Sequence, residues 1–253
     1  MMRIIKHFVL FITICAFAAC KHSHQVTKIA GENIHITDSL PKTKSIESFI
    51  TPYRSRINQT LDSVLAYNPQ NLTKNDTPLN TALGNLMADV VYEAIEPIYL
   101  KRIGNHVDFV LLNHGGIRSG FNKGGVTART AYELMPFENT ISVLELSRSK
   151  MDSLINFLVV GQRAHPFSKE LRLSLFKDGT LKDVSIHGLP LDSLKSFKIA
   201  TSDYLANLGD QMNFFEDPIS RVDIDYLIRN IFIDYFRKVD TISASYDHRF
   251  IME

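Results

Sequence analysis

A mixed α+β fold is predicted for this 253-residue chain, on three observations. Helix-like and strand-like hydrophobic patterns interleave along most of its length. Residues 171–187 carry a β-hairpin signature that breaks a purely parallel βαβ scheme. Neither an internal repeat nor a low-complexity tract is found. From Ile46, apolar residues recur at helical spacing through Phe49, Ile50, Tyr53, Ile57 and Leu61 to Val64 and Leu65, so one long amphipathic helix is expected over 46–65, started or bent by Pro52. Asn80 or Thr81 can cap a second helix whose apolar face is Leu83, Leu86, Met87, Val90, Val91, Ala94 and Ile95. The short, nearly continuous apolar run 107–112 suits a buried strand that delivers the tight loop beginning at Asn113. Further strands are expected over 140–146 and 197–201, with a helix capped by Ser147 between them. Asp178-Gly179 turns the hairpin, and Ile224, Leu227, Ile228, Ile231 and Tyr235 mark a closing helix.

The first residues read as a processing segment. Arg3 and Lys6 precede an apolar run over 8–19, too short for the roughly 20 residues of a spanning helix, and Ala18-Ala19 stand directly before Cys20. Residues 1–19 are therefore expected to be a lipoprotein signal peptide, with Cys20 acylated and the protein exported and anchored to a bacterial membrane. Cys15 would leave with the signal, so no internal disulfide is possible. Of 28 Lys and Arg, removal of Arg3 and Lys6 leaves 26 against 27 Asp and Glu, and a net charge of −1 excludes broad steering to a nucleic acid polymer. Residues 20–45 read as a tether with one short strand near 33–36, residues 46–75 as a linking helix segment and residues 76–253 as the folded domain.

Two groups of residues could carry chemistry. In Asn113-His114-Gly115-Gly116-Ile117-Arg118, paired glycines after a strand let backbone N–H groups approach an anion, and the arginine fork matches phosphate oxygens. The plainer reading is a turn followed by a solvated arginine. Phe137 and Tyr204 each sit in a loop beside a strand and could sandwich a planar base, with Asp210 accepting hydrogen bonds from ribose hydroxyls. The plainer reading makes Phe137 core, Tyr204 half buried and Asp210 a cap, and spacing alone favours it.

Taken together, these segments resemble the C-terminal domain of the 5′-nucleotidase family. Leu83-Gly84-Asn85-Leu86-Met87-Ala88-Asp89, the loop 113–118, Met135-Pro136-Phe137-Glu138-Asn139-Thr140 and the segment 201–210 follow the order and intervals of its motifs, over roughly 76–250. The resemblance implies that Phe137 and Tyr204 clamp a nucleobase, that Asn113 and Arg118 contact base and phosphate, that Asp210 holds the ribose, and that Gly115 and Gly116 shape the loop. His114 replaces a family glycine, Leu208 and Gln211 replace two more, and an arginine expected shortly before Leu83 has no counterpart over 75–81, a loss that would weaken phosphate binding.

Family hydrolysis uses two metal ions in a separate N-terminal domain. The fragment Gly104-Asn105-His106 has Val107 where an acidic ligand would stand, so it reads as a helix-to-strand turn; His165, His187 and His248 read as isolated. The chain is thus expected to carry no cofactor and no catalytic residues. It would supply the substrate-binding half of a nucleotidase, with divalent metals held by a separate metallophosphoesterase partner. The alternatives are a lipoprotein that binds nucleosides or nucleotides without catalysis, and an interaction module whose pocket has closed around Leu208.

Overall fold

A computed structural model describes residues 2–18, 26, 28–37 and 39–253, with the backbone alone over 14–18. The chain forms two units, Met1–Phe49 and Ile50–Glu253. The first holds helix α1 (Met2–Ala18) and the start of α2 (Lys44–Leu61). Its described residues over 28–37 are exposed and lie outside regular structure, so the short strand expected at 33–36 does not form. Cys20 lies outside the described residues. No helix among the described residues is long and apolar enough to cross a membrane.

The second unit follows the α+β expectation. After α2 come β1 (Val64–Asn68), α3 (Ala82–Ile103), β2 (Phe109–Val110), β3 (Gly124–Thr127), α4 (Ala128–Leu134), β4 (Thr140–Ser147) and α5 (Arg148–Gly161). The hairpin β5 (Leu171–Leu175) and β6 (Leu181–Ile186) follows, then β7 (Leu189–Pro190), β8 (Ser196–Ser202), α6 (Asp203–Ala206), β9 (Ser220–Leu227), α7 (Ile228–Lys238) and β10 (Phe250–Met252).

A sheet ordered β2-β8-β4-β9 forms the centre. Alternate residues of its strands enter two different cores: Val110, Val143 and Ala200 pack with α3, α4 and α7, whereas Phe109, Leu144 and Ile199 pack with α5 and the hairpin. Burial on both faces explains why 109–112 is a continuous apolar run rather than an alternating one. The second sheet, β10-β5-β6-β7, contains the predicted hairpin, with Gly179 in the left-handed conformation (φ 84°) at its turn.

Two expectations are corrected by pairing between distant segments, and a third by a local contact. The helix predicted over 46–65 stops at Leu61, because Val64 and Leu65 enter β1 and pair antiparallel with β3. Val64 fits there because Gly125 has no Cβ; one would stand 2.9 Å from a Val64 methyl. None of the residues of α2 is buried, although Leu61 packs on the core. Ile224 and Leu227 belong to β9, an edge strand on β4, and only from Ile228 does the chain turn helical. Alternation of Arg221, Val222, Asp223, Ile224, Asp225 and Tyr226 was the available signal. Ser147 stands at the N-cap of α5 without capping it, its hydroxyl lying 3.1 Å from that of Ser149.

Helix α3 begins as expected, with the Thr81 hydroxyl accepting from Gly84 N and Gly104 ending the helix at φ 76°. Its first turns are clamped to the end of the chain. Asn80 Nδ2 donates to Phe250 O (2.8 Å) and Asn85 Nδ2 to Asn80 Oδ1 (3.0 Å). The Arg249 guanidinium, 4% exposed, donates to both oxygens of Asp89 (2.9 and 2.8 Å), to Asp247 (2.7 Å) and to Phe167 O (2.7 Å). Burial opposes ionisation of Asp247, but the hydrogen bonds and charge of Arg249 outweigh it and hold the carboxyl below its ordinary value. Truncation of the buried cation should leave two half-buried carboxylates without their partner, so Arg249→Met is expected to lower stability by about 3 kcal/mol in urea unfolding, the low end for a broken buried pair.

Candidate functional site

Strand β2 runs parallel to β8, with Phe109 opposite Ile199 and Val110 opposite Ala200, and β4 runs antiparallel to β8, with Ile141 opposite Ser202. The C-terminal ends of β2 and β8 and the N-terminal end of β4 therefore share one edge of the sheet. Three loops leave it, and all seven residues singled out in the sequence line one cavity of about 330 Å³ there: Asn113, Gly115, Gly116, Arg118, Phe137, Tyr204 and Asp210. Asn139 also lines it. That residue escaped selection although the motif 135–140 contains it.

Residues His114–Gly116 make one 3₁₀ turn, closed by Gly116 N donating to Asn113 O (3.1 Å). This N–H is used within the loop rather than turned toward an anion. The glycines serve another purpose, since a Cβ on Gly116 would stand 2.6 Å from Asn113 Oδ1 and one on Gly115 3.3 Å from Asp210 Oδ2. Their absence lets Asn113 reach across the turn and donate Nδ2 to Asp210 Oδ2 (2.5 Å).

Neither ring belongs to the core: Phe137 is 39% and Tyr204 45% exposed. The Arg118 guanidinium carbon lies 5.8 Å from the Phe137 ring centroid, within cation–π range, and Arg118 forms no ion pair among the described residues. The Phe137 loop is held from behind by buried Arg229 of α7, which donates to Phe137 O (3.3 Å) and Glu138 Oε1 (3.0 Å) and lies 4.1 Å over the Tyr132 ring. The third loop keeps its glycine-like shape without the glycines. Leu208 (φ 68°), Asp210 (φ 51°) and Gln211 (φ 60°) all occupy the left-handed region, each at a cost of roughly 1–2 kcal/mol. Leu208 is exposed and does not line the cavity.

Sequence reasoning missed the groups behind the first loop. His165, expected to be isolated, is buried against it and accepts from His114 N (3.4 Å) at Nδ1. The His114 ring faces away from the cavity: Arg163 donates to its Nδ1 (3.1 Å), and Nε2 lies 3.2 Å from Lys74 O and 3.1 Å from Asn75 Oδ1. An arginine donor at Nδ1 requires the proton on Nε2, the neutral form, and burial followed by the charges of Arg163 and Lys74 lowers the His114 pKa accordingly. Lys74 donates to Ile117 O (2.7 Å), and burial with the charges of Arg118 and Arg163 lowers its pKa in turn. Three cations thus gather at this end of the sheet, although 75–81 holds no arginine.

His106 is paired with Glu96 beside the α3 terminus, the His114 nitrogens are engaged as above, and no group of three or more His, Cys, Asp or Glu side chains among the described residues could hold an ion.

The pattern of the 5′-nucleotidase, C-terminal domain, matches residues 61–217. The chain belongs to this family. Protein UshA of Yersinia enterocolitica is 23% identical over 219 residues, covering 85% of this chain and 38% of UshA. Human 5′-nucleotidase is 24% identical over 248 residues, covering 87% and 42%. The crystal structure of a 5′-nucleotidase precursor from Thermus thermophilus superposes with a TM-score of 0.66 at 21% identity, over 83% of this chain and 42% of that one. The 5′-nucleotidase C-terminal domain described here thus spans about two fifths of the length of the curated relatives it matches.

Burial, then the charge of Arg163, pushes the His165 pKa down to about 4. A histidine kept neutral in the fold stabilises it fully above the ordinary value of about 6.5, and that contribution is lost as the pH falls toward the folded value. Urea unfolding should show about 2 kcal/mol less stability at pH 5 than at pH 7 from this group. His165→Met should remove most of the difference.

Proposed function

We propose that this chain is the substrate-binding domain of a 5′-nucleotidase-type hydrolase of nucleotide catabolism, working with a separate metallophosphoesterase that holds the divalent metals. Phe137 and Tyr204 stack on the base, Asp210 accepts from the ribose hydroxyls, and Asn113 and Arg118 contact base and phosphate, with Lys74 and Arg163 adding positive charge from behind the loop. The observation that carries this reading is the common cavity with two exposed rings, a carboxylate and an arginine on its wall. Exposed aromatic faces beside a fixed carboxylate suit a ligand with a planar end and a hydroxylated middle. The metal-ligand set needed to activate water is assigned to the partner, so this chain alone binds and orients without hydrolysis.

Calorimetry with adenosine and with adenosine monophosphate tests the binding. Phe137→Ala should weaken both by roughly 1–3 kcal/mol, the value of a lost stacking contact. Equal affinity in wild type, Phe137→Ala and Asp210→Ala would reject the site. For catalysis, purified chain should be inert, and a cognate metallophosphoesterase supplied with a divalent metal should gain nucleotidase activity when it is added. That gain should fall in Arg118→Ala. A partner equally active without the chain would leave binding as its only role.

We further propose that the protein is an exported lipoprotein acylated on Cys20, supported by the small residues before that cysteine and the apolar run ahead of them. Cys20→Ser should shift it from the membrane fraction to the soluble fraction, and intact mass of the native membrane form should show the added lipid. An unmodified Cys20 in native membranes would exclude the anchor.

A further inference from the structure

The proposed reading gives Asp210 to the ribose and leaves the Tyr204 hydroxyl without a task, since stacking needs only the ring. That hydroxyl makes two contacts with the residue six positions later. It donates to Asp210 Oδ1 (3.0 Å) and accepts from Asp210 N (3.2 Å). Asn113 Nδ2 holds the other oxygen, Oδ2 (2.5 Å). The carboxylate is therefore gripped at both oxygens by donors from two different loops, and its plane cannot turn freely.

This grip stands in a segment that needs one. Leu208, Asp210 and Gln211 hold left-handed backbone angles disfavoured for residues with a Cβ. Between them Gly209 lies against the Tyr204 ring so closely that a Cβ there would meet Cε1 and Cζ at 2.5 Å. The ring and its hydroxyl are the template on which 208–211 is folded.

The geometry points to the Tyr204 hydroxyl as a positioning group that sets the site's preference for ligands carrying a vicinal diol. A carboxylate offers about four lone-pair sites. Tyr204 and Asn113 take one on each oxygen, which leaves acceptor capacity on both oxygens of a carboxylate whose plane the two donors hold. Two adjacent hydroxyls match that pair, one to each oxygen. A ligand with one hydroxyl or none leaves the ready-made acceptors unmatched and gains less from their order. The inference rests on the proposed nucleoside reading for its ligand, but the clip itself exists in the ligand-free chain and can be measured there.

Tyr204→Phe separates the hydroxyl from the ring. In the ligand-free protein, amide hydrogen exchange at Asp210 should be slow in wild type and clearly faster in the variant. By calorimetry, wild type should prefer adenosine over 2′,3′-dideoxyadenosine. In Tyr204→Phe that preference should fall roughly three- to tenfold, the scale of one hydrogen bond's ordering. Unchanged exchange and unchanged preference would overturn the inference. Faster exchange with the same preference would reduce the hydroxyl to a structural brace and overturn its role in selectivity. If wild type binds neither nucleoside while exchange responds as expected, the clip stands, and it is the nucleoside reading that fails and takes the selectivity with it.

Discussion

The parallel pairing of β2 with β8 is the constraint on which the site depends. Leu111 N donates to Ala200 O (3.0 Å), Asp108 N to Lys198 O (2.8 Å), and the Thr201 hydroxyl to Leu111 O (2.7 Å). These bonds set two distant segments in register and make them leave the sheet at the same edge. They are secured by burial on both faces, with Phe109 and Phe197 fully enclosed on one side and Val110 and Ala200 on the other. Each such phenylalanine contributes on the order of 1.5–3 kcal/mol, enough to hold loops that carry strain of their own.

Charge is distributed to match. At the site end of the sheet, Lys74, Arg118 and Arg163 lie close enough to influence one another, and the histidines among them are kept neutral. Among the described residues these cations have no carboxylate ion-pair partner, and positive charge of that kind attracts anions. Away from the site, Arg249 is buried with Asp89 and Asp247 and serves to bind the chain's last strand to the start of α3. The asparagine and aspartate of the motif 83–89 belong to this clamp. They do not line the cavity; they fix the helix that packs beneath it.

The left-handed residues of the third loop show how a site can outlast its glycines. Leu208 and Gln211 hold the conformations that glycine would adopt freely, because Tyr204 and Asn113 anchor Asp210 between them. Strain in a loop persists where neighbouring contacts over-determine it, and here those contacts come from the site residues themselves.

Much of this protein was legible in its residues. The capped start of α3, the hairpin turn at Asp178-Gly179, the doubly buried strand before Asn113 and the order of four family motifs all follow from local chemistry or from spacing, which act over a few residues. Other features depend on segments that meet only in the fold. Val64, Leu65, Ile224 and Leu227 carry apolar residues compatible with helix, and strand partners overruled that pattern. Spacing could not choose whether Phe137 and Tyr204 were core or cavity wall, because exposure depends on where three loops end. Lys74, His114 and the neighbours Arg163 and His165 come from three distant stretches of the chain, and their shared electrostatics arises only where tertiary packing brings them behind one loop.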